Sequence, residues 1–216
     1  SVKTMTVTST DIQSPQLVFR FMRIDLPYTF VLYKDWTVVA REVCLPYRIG
    51  MEERDILVHA CCGPCSTASI ERLVGEGWKP VLYFSNSNIF PQEEAQKRYE
   101  ALLEVAQAYQ LEVIAEHYDH ESWLASIKGH EGEREGGLRC AKCFAYNLAQ
   151  AASKARQLGY SHFTTTLTVS RFKNSSLIFS VGKQFEGFEC IDFKKQGGFD
   201  KSVKLTKELG IYRQHY

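Results

Sequence analysis

Five of the seven cysteines stand in two tight groups, Cys61, Cys62 and Cys65 in the first and Cys140 and Cys143 in the second. Thiolates are soft donors suited to zinc, iron or iron-sulfur clusters. The first group, His59-Ala-Cys-Cys-Gly-Pro-Cys-Ser66, carries two competing readings. As a Cys62-x-x-Cys65 pair at a strand-to-helix junction it is a redox dithiol, its thiolate stabilised by the helix N-terminus. With Cys61 included it is a three-thiolate edge, since adjacent cysteines bond poorly to each other but can bind a metal or different irons of one cluster. The second group, Gly136-Gly-Leu-Arg-Cys-Ala-Lys-Cys143, sets two thiols at the start of a helix, where orphan N–H groups and the macrodipole favour negative charge. Were both groups to meet, five soft ligands would surround one site, one more than a tetrahedral zinc or a cubane cluster takes. Cys44 and Cys190 read as ordinary small hydrophobes, His59 as a satisfied strand-end residue, and Asp119 as a helix N-cap.

Positioning these groups requires an alternation of strands and helices, which begins at Asp55. Apolar runs at residues 56–60, 80–84, 111–115, 162–167 and 189–193 read as strands. Helices are expected from Ser66 or Thr67 to the glycines at 75–77, then over residues 91–109, 121–127, 140–157, 173–184 and 201–209. Residues 129–137, rich in Gly, Glu and Arg, read as an exposed loop. Strand and helix repeated about five times predict an α/β fold, a parallel sheet with helices on both faces and ligands outside the carboxyl ends of the strands. Cys61 and Cys62 lie at such an end, and the loops at residues 85–89, 118–119 and 169–174 should open onto the same rim. Residues 1–54 stay outside this alternation as an N-terminal extension, with a hairpin around Lys34 and Asp35 and Met51 as a candidate native start.

Composition agrees with an ordinary soluble globular protein: 216 residues, 44% hydrophobic and 24% charged, are neither fibrous nor broadly disordered. The uncharged apolar stretch at residues 26–33 falls far short of the roughly 20 residues of a bilayer helix, and with no signal peptide ahead of it the expectation is a cytoplasmic protein with no membrane partner. Charge is uneven, net +2 over residues 1–50, −5 over 51–170 and +4 over 171–216. The basic C-terminal quarter suits phosphate, although a solvated basic helix face would look the same.

Residues 55–216 resemble the QueH-type epoxyqueuosine reductases. The resemblance rests on the segment from His59 to Ser66, on Asn86-Ser-Asn-Ile-Phe-Pro91 with Glu94 and Arg98, and on the segment from Gly136 to Phe144. Thr164-Thr-Thr-Leu-Thr-Val-Ser170 with Lys173 and Asn174, Asp192-Phe-Lys-Lys with Gly197, Gly198 and Phe199, and Tyr212-Arg-Gln214 agree in order and spacing. It implies a Rossmann-like fold of the HUP class and an oxidoreductase that reduces the epoxide of epoxyqueuosine at the wobble position of a tRNA anticodon to the alkene of queuosine. It implies a 4Fe-4S cluster and leaves room for an additional mononuclear iron. Cys61, Cys62, Cys65, Cys140 and Cys143 form the implied metal set, with Cys61, Cys62 and Cys65 catalytic and Cys61, Cys62, Cys140 and Cys143 the cluster ligands. The position of Cys65 holds an aspartate in other members, so the choice of four stays open.

The partners implied are tRNA and an external electron donor. Arg98, Arg171, Lys173, Lys194, Lys195 and Arg213 would position phosphates, and Asn86, Asn88 and Asn174 would meet the modified base or sugar, the base leaving its stack to reach the metal. Where the family commonly continues into a Cys-Gly-Cys tail, this sequence reads His215-Tyr216, and an enzyme relying on those thiols would be impaired. Three other readings remain open. A thioredoxin-like dithiol oxidoreductase would use Cys62 and Cys65 without metal, but no X-Pro precedes a strand at a suitable distance. A PP-loop tRNA-thiolating enzyme would need a phosphate-cradling Ser-Gly-Gly-x-Asp-Ser where His59 to Ser66 stand. A zinc-stapled RNA-binding module would leave the adjacent Cys61 and Cys62 unexplained.

Overall fold

The computed structural model describes residues 54–214 and the backbone of residues 30–32 and 38–40. The chain divides into two compact units, Ser1–Tyr47 and Arg48–Tyr216. In the first, β1 (Phe30–Leu32) and β2 (Val38–Ala40) pair antiparallel, with Val31 opposite Val39, as the alternation around Lys34 and Asp35 predicts. Cys44 and Met51 lie outside the described residues.

In the second unit β3 (Arg54–His59), β4 (Trp78–Phe84), β5 (Val113–Ala115) and β6 (Phe163–Thr165) form a parallel sheet in the order β5-β4-β3-β6. The helices are α1 (Gly63–Gly75), α2 (Gln92–Tyr109), α3 (His120–Ser126), α4 (Leu138–Leu158), α5 (Ser175–Gly182) and α6 (Gly198–Leu209). Pleat alternation splits the core. Ile56 and Val58 face one cluster with Ile70, Leu73, Leu102 and Val105 of α1 and α2. Leu57 faces the other with Phe144, Leu148, Ala151, Ile178 and Val181 of α4 and α5. Helices therefore cover both faces, and β3, buried on both, is a continuous apolar run.

Strands add outward from β3 to β4 and β5, and the chain then returns to place β6 on the opposite side of β3. The switch point lies between β3 and β6, and doubly wound sheets open their ligand crevice there, beyond the strand carboxyl ends. Cys61 follows directly from β3, and the turn after β6 faces it.

Three expectations are corrected. Residues 162–167 are not one strand: β6 ends at Thr165, whose hydroxyl caps a 3-10 turn over Thr166–Val169 by accepting from the Leu167 amide. Residues 189–193 form no fifth strand; the bridge to the sheet, Phe163 to Phe188, lies just ahead of them. Threonine hydroxyls take the place of a ladder there: Thr164 donates to the Glu189 carbonyl, Thr168 to that of Ile191, and Thr168 accepts from the Phe193 amide. Finally, α1 starts at Gly63, ahead of Ser66, because Pro64 in its first turn has no N–H to orphan. Among the described residues, no helix is long and apolar enough to cross a membrane.

Candidate metal centre and cleft

The backbone leaves β3 with the Ala60 amide bonded to the Tyr83 carbonyl and the Cys61 amide to Thr166 Oγ1. Cys62 is then the N-cap of α1 and supplies no side-chain cap, so the orphan N–H groups of the first turn face the thiol group as fixed positive charge. The first two turns of α1 are buried on nearly every side. Small polar residues tolerate this because Ser66, Thr67 and Ser69 return their hydroxyls to the carbonyls of Cys62, Pro64 and Cys65 at 2.9, 2.9 and 3.0 Å.

Cys61, Cys62 and Cys65 hold their sulfurs within 4.8 Å of one another. Cys61 and Cys62 Sγ are 3.9 Å apart, close to the edge of about 3.8 Å expected for a tetrahedron of 2.3 Å metal–sulfur bonds. The donor set is soft and free of interposed carboxylates, and it fits a thiophilic metal centre. Thiols of Cys62 and Cys65 donating to Cys61 hold its thiol well below the ordinary range, against burial and with help from Lys173 and from Thr166, whose hydroxyl lies 3.3 Å away. Bonding to Cys61 in turn pushes Cys62 up to about 12 and Cys65 well up. One thiolate among two thiols is what a dense soft site adopts without metal, since like charges at this spacing cannot all ionise.

His59 carries no open valence toward this site. Its Nδ1 pairs with Thr165 Oγ1 at 2.9 Å and its Nε2 with the Ser85 carbonyl at 3.3 Å, and burial keeps its pKa low. It is the satisfied strand-end residue the sequence predicts.

An open cleft of about 810 Å³, mouth included, lies against this group. Cys61, Cys65, Asn86, Asn88, Arg98, Cys143, Lys173 and Arg213 all reach it, bringing together residues spread over most of the unit. Arg98 is held in place by Glu94 at 2.7 Å, and Glu94 also accepts from Tyr212 at 2.9 Å, tying the C-terminal segment to α2. Arg213 lies over the Phe199 ring at 5.5 Å, and its Nη1 is buried without a partner among the described residues.

The other expected residues are placed differently. Cys62 is buried behind Cys61, with Gln214 Nε2 at 3.9 Å from its sulfur. Cys140 shares a neighbouring pocket with Cys143, Trp123, Leu124 and Arg139, its sulfur accepting from the Gly136 amide at 3.2 Å. Asn86 spends its Nδ2 on the Ala60 carbonyl at 2.8 Å and so braces the first cysteine loop. Arg171 pairs with Asp200, Lys194 donates to the Lys173 carbonyl, and Lys195 is exposed on a short turn. The loop at residues 118–119 packs under the rim, Tyr118 donating to the Ile89 carbonyl and the Asp119 amide to Ser87. As predicted, Asp119 caps its helix, accepting from Ser122 N at 3.0 Å. Cys190, expected among the small hydrophobes, is instead exposed, because the segment carrying it is no strand.

Asn174 caps α5, accepting from the amides of Ser176 and Leu177 at 2.9 and 3.3 Å. Asn174→Ala is therefore expected to cost about 1 kcal/mol of stability, measured by urea unfolding; an unchanged midpoint would contradict the capping role.

Four residues in or beside the cleft have no individual role assigned from sequence, Thr166 and Phe199 belonging only to the family-like segments. Phe172 is 71% exposed at the mouth, Phe199 carries Arg171 and Arg213 over its ring, and Thr166 meets Cys61. Asn147, one helical turn beyond Cys143, is 1% exposed; its Nδ2 reaches Asn88 Oδ1 at 3.2 Å, and its Oδ1 has no partner among the described residues. Only that turn spacing on α4 could have found it.

A family model described as epoxyqueuosine reductase QueH matches residues 56–216. Over 172 residues the chain is 36% identical to the epoxyqueuosine reductase QueH of Streptococcus pyogenes, covering 74% of this chain and 67% of that protein. The Thermotoga maritima protein of the same name is 36% identical over 169 residues, covering 74% and 86%. That of Staphylococcus aureus is 32% identical over 186 residues, covering 78% and 77%.

Proposed function

Because the chain belongs to the epoxyqueuosine reductase QueH family, we propose that it reduces epoxyqueuosine to queuosine at the wobble position of tRNA anticodons. Residues 55–216 carry this activity, and a tRNA substrate places it in the cytoplasm. The observation that carries the reading is the group of three thiols within 4.8 Å of one another at the switch point of the sheet, opening on a cleft with Arg98, Lys173 and Arg213 in its walls.

Conversion of an epoxide to an alkene takes up two electrons and two protons and releases the oxygen as water. An iron-sulfur centre, when bound, supplies the electrons singly from an external reductant and offers a Lewis-acidic iron. Cys61, Cys65 and Cys143 line the cleft and Cys62 lies against Cys61; with Cys140, taken from the family motif, they would hold it, and a fifth thiol leaves room for a mononuclear iron. Lys173, in the cleft wall, offsets negative charge on Cys61 and works against the burial that raises Cys143, and it would hand a proton to the departing oxygen. Arg98 and Arg213 hold the phosphates flanking the target nucleotide, with Arg171, Lys194 and Lys195 further along the basic rim. Asn88, with Asn147 behind it, offers hydrogen bonds to an unstacked base, and Asn86 and Asn174 shape the loops that present them.

The test is anaerobic purification with iron and sulfide counts, visible spectra before and after dithionite, and incubation with epoxyqueuosine-containing tRNA. A brown protein that bleaches on reduction and converts the nucleoside is expected. A colourless protein after cluster reconstitution would favour the metal-free dithiol reading through Cys62 and Cys65, and sulfur incorporation into a tRNA base that needs ATP and a sulfur donor, with the epoxide left intact, would favour thiolation.

A further inference from the structure

Among the described residues, Cys143 is the cysteine whose sulfur faces two side-chain N–H donors, Trp123 Nε1 at 3.4 Å and Asn147 Nδ2 at 3.8 Å. Tertiary packing brings Trp123, whereas Asn147 lies one turn along α4 from Cys143. Trp123 comes from α3, and its indole can only donate. Its ring is fixed by a stack: His120 lies 5.0 Å from Phe90 and 5.2 Å from Trp123, each pair tilted 26°, while His120 Nδ1 donates to the Ser87 carbonyl at 2.7 Å. Asn147 is held by its second amide hydrogen on Asn88. The two donors thus approach one sulfur from separate, braced elements.

We propose that Trp123 and Asn147 are positioning residues that set the reduction potential of the metal centre by donating hydrogen bonds to Cys143 Sγ. The inference rests on Cys143 being a ligand of that centre. An N–H directed at a ligating sulfur favours the state with more electron density on sulfur, which is the reduced one, so the pair makes the centre easier to reduce. Of the five thiols, Cys143 also lines both the substrate cleft and the pocket behind it, so its sulfur charge bears on both faces of the site.

The experiment is a dye-mediated redox titration of the metal-loaded protein, followed by visible absorbance, for wild type, Trp123→Phe and Asn147→Leu. Phenylalanine keeps the stack on His120 and removes only the donor. The reduced-to-oxidised ratio at a fixed potential should fall about tenfold in Trp123→Phe, which for one electron is about 59 mV, and by less in Asn147→Leu, whose bond is longer. Iron and sulfide content and melting temperature should stay at wild-type values in at least one of the two. Unchanged midpoints in fully loaded variants would overturn the inference. Cys143→Ser separates that failure from failure of its premise. If this variant loads normally with an unaltered spectrum and midpoint, Cys143 is no ligand and the inference falls with the assignment; if Cys143→Ser moves the midpoint and Trp123→Phe does not, only the inference falls.

Discussion

Cys62→Ala is expected to abolish both cluster content and epoxide reduction, with turnover falling by more than about 100-fold. Disturbing a residue behind a metal ligand typically costs 10-fold to 100-fold, and Cys62 is proposed above as a ligand itself. Its sulfur lies 3.9 Å from that of Cys61, it caps α1 through its backbone, and it is 1% exposed. Alanine keeps the extended cap backbone, so the fold should survive while the site loses one donor of its dense group. Iron and sulfide counts, visible absorbance and single-turnover conversion of epoxyqueuosine tRNA read the outcome. Cys140→Ala should behave in the same way, whereas Cys190→Ala, on an exposed thiol, should leave all three untouched. Normal metal and activity in Cys62→Ala would remove the site assignment.

Gly63→Ala is expected to destabilise the protein by about 3 kcal/mol, the upper end for forced overpacking. In an exposed helix the same change would stabilise by up to about 1 kcal/mol. Here the sign reverses, since a Cβ on Gly63 would sit 2.3 Å from the Ala101 carbonyl oxygen and 2.6 Å from its carbon. Both belong to the backbone of α2 and cannot rotate away, so α1 must retreat and carry Cys62 and Cys65 with it. Chemical unfolding should therefore report lower stability and metal reconstitution a lower yield. A stability within about 0.5 kcal/mol of wild type, the range of an ordinary surface change, would show that α1 can shift without cost.

Local signals were readable where the physics is local. The 3.6-residue spacing of α2 and α4, the αL glycine Gly159 that ends α4, and the apolar run of β3 placed those elements within a few residues. The failures share one cause. Residues 189–193 have the residue types of a strand, yet hydroxyls of Thr164 and Thr168 bind their carbonyls from a distant part of the chain. No window of sequence contains that competition. Likewise Cys190 seemed a core residue only while its segment seemed a strand.

The thiols and the glycine-proline step between them were sufficient, from sequence alone, to name a soft metal or redox site at a strand-to-helix junction, and the ordered motifs to name the family. Which groups act together was decided by the tertiary structure. The order β5-β4-β3-β6 brings the turn after β6 against Cys61 and puts Lys173 beside thiols more than a hundred residues earlier. Packing of α3 on α4 aims Trp123 at Cys143, and burial leaves the Asn147 carbonyl without a partner among the described residues. Side-chain identity sets what a residue can donate, accept or ligate, but charge and hydrogen bonding act through distances of a few ångströms, and those distances exist only once the sheet has been assembled.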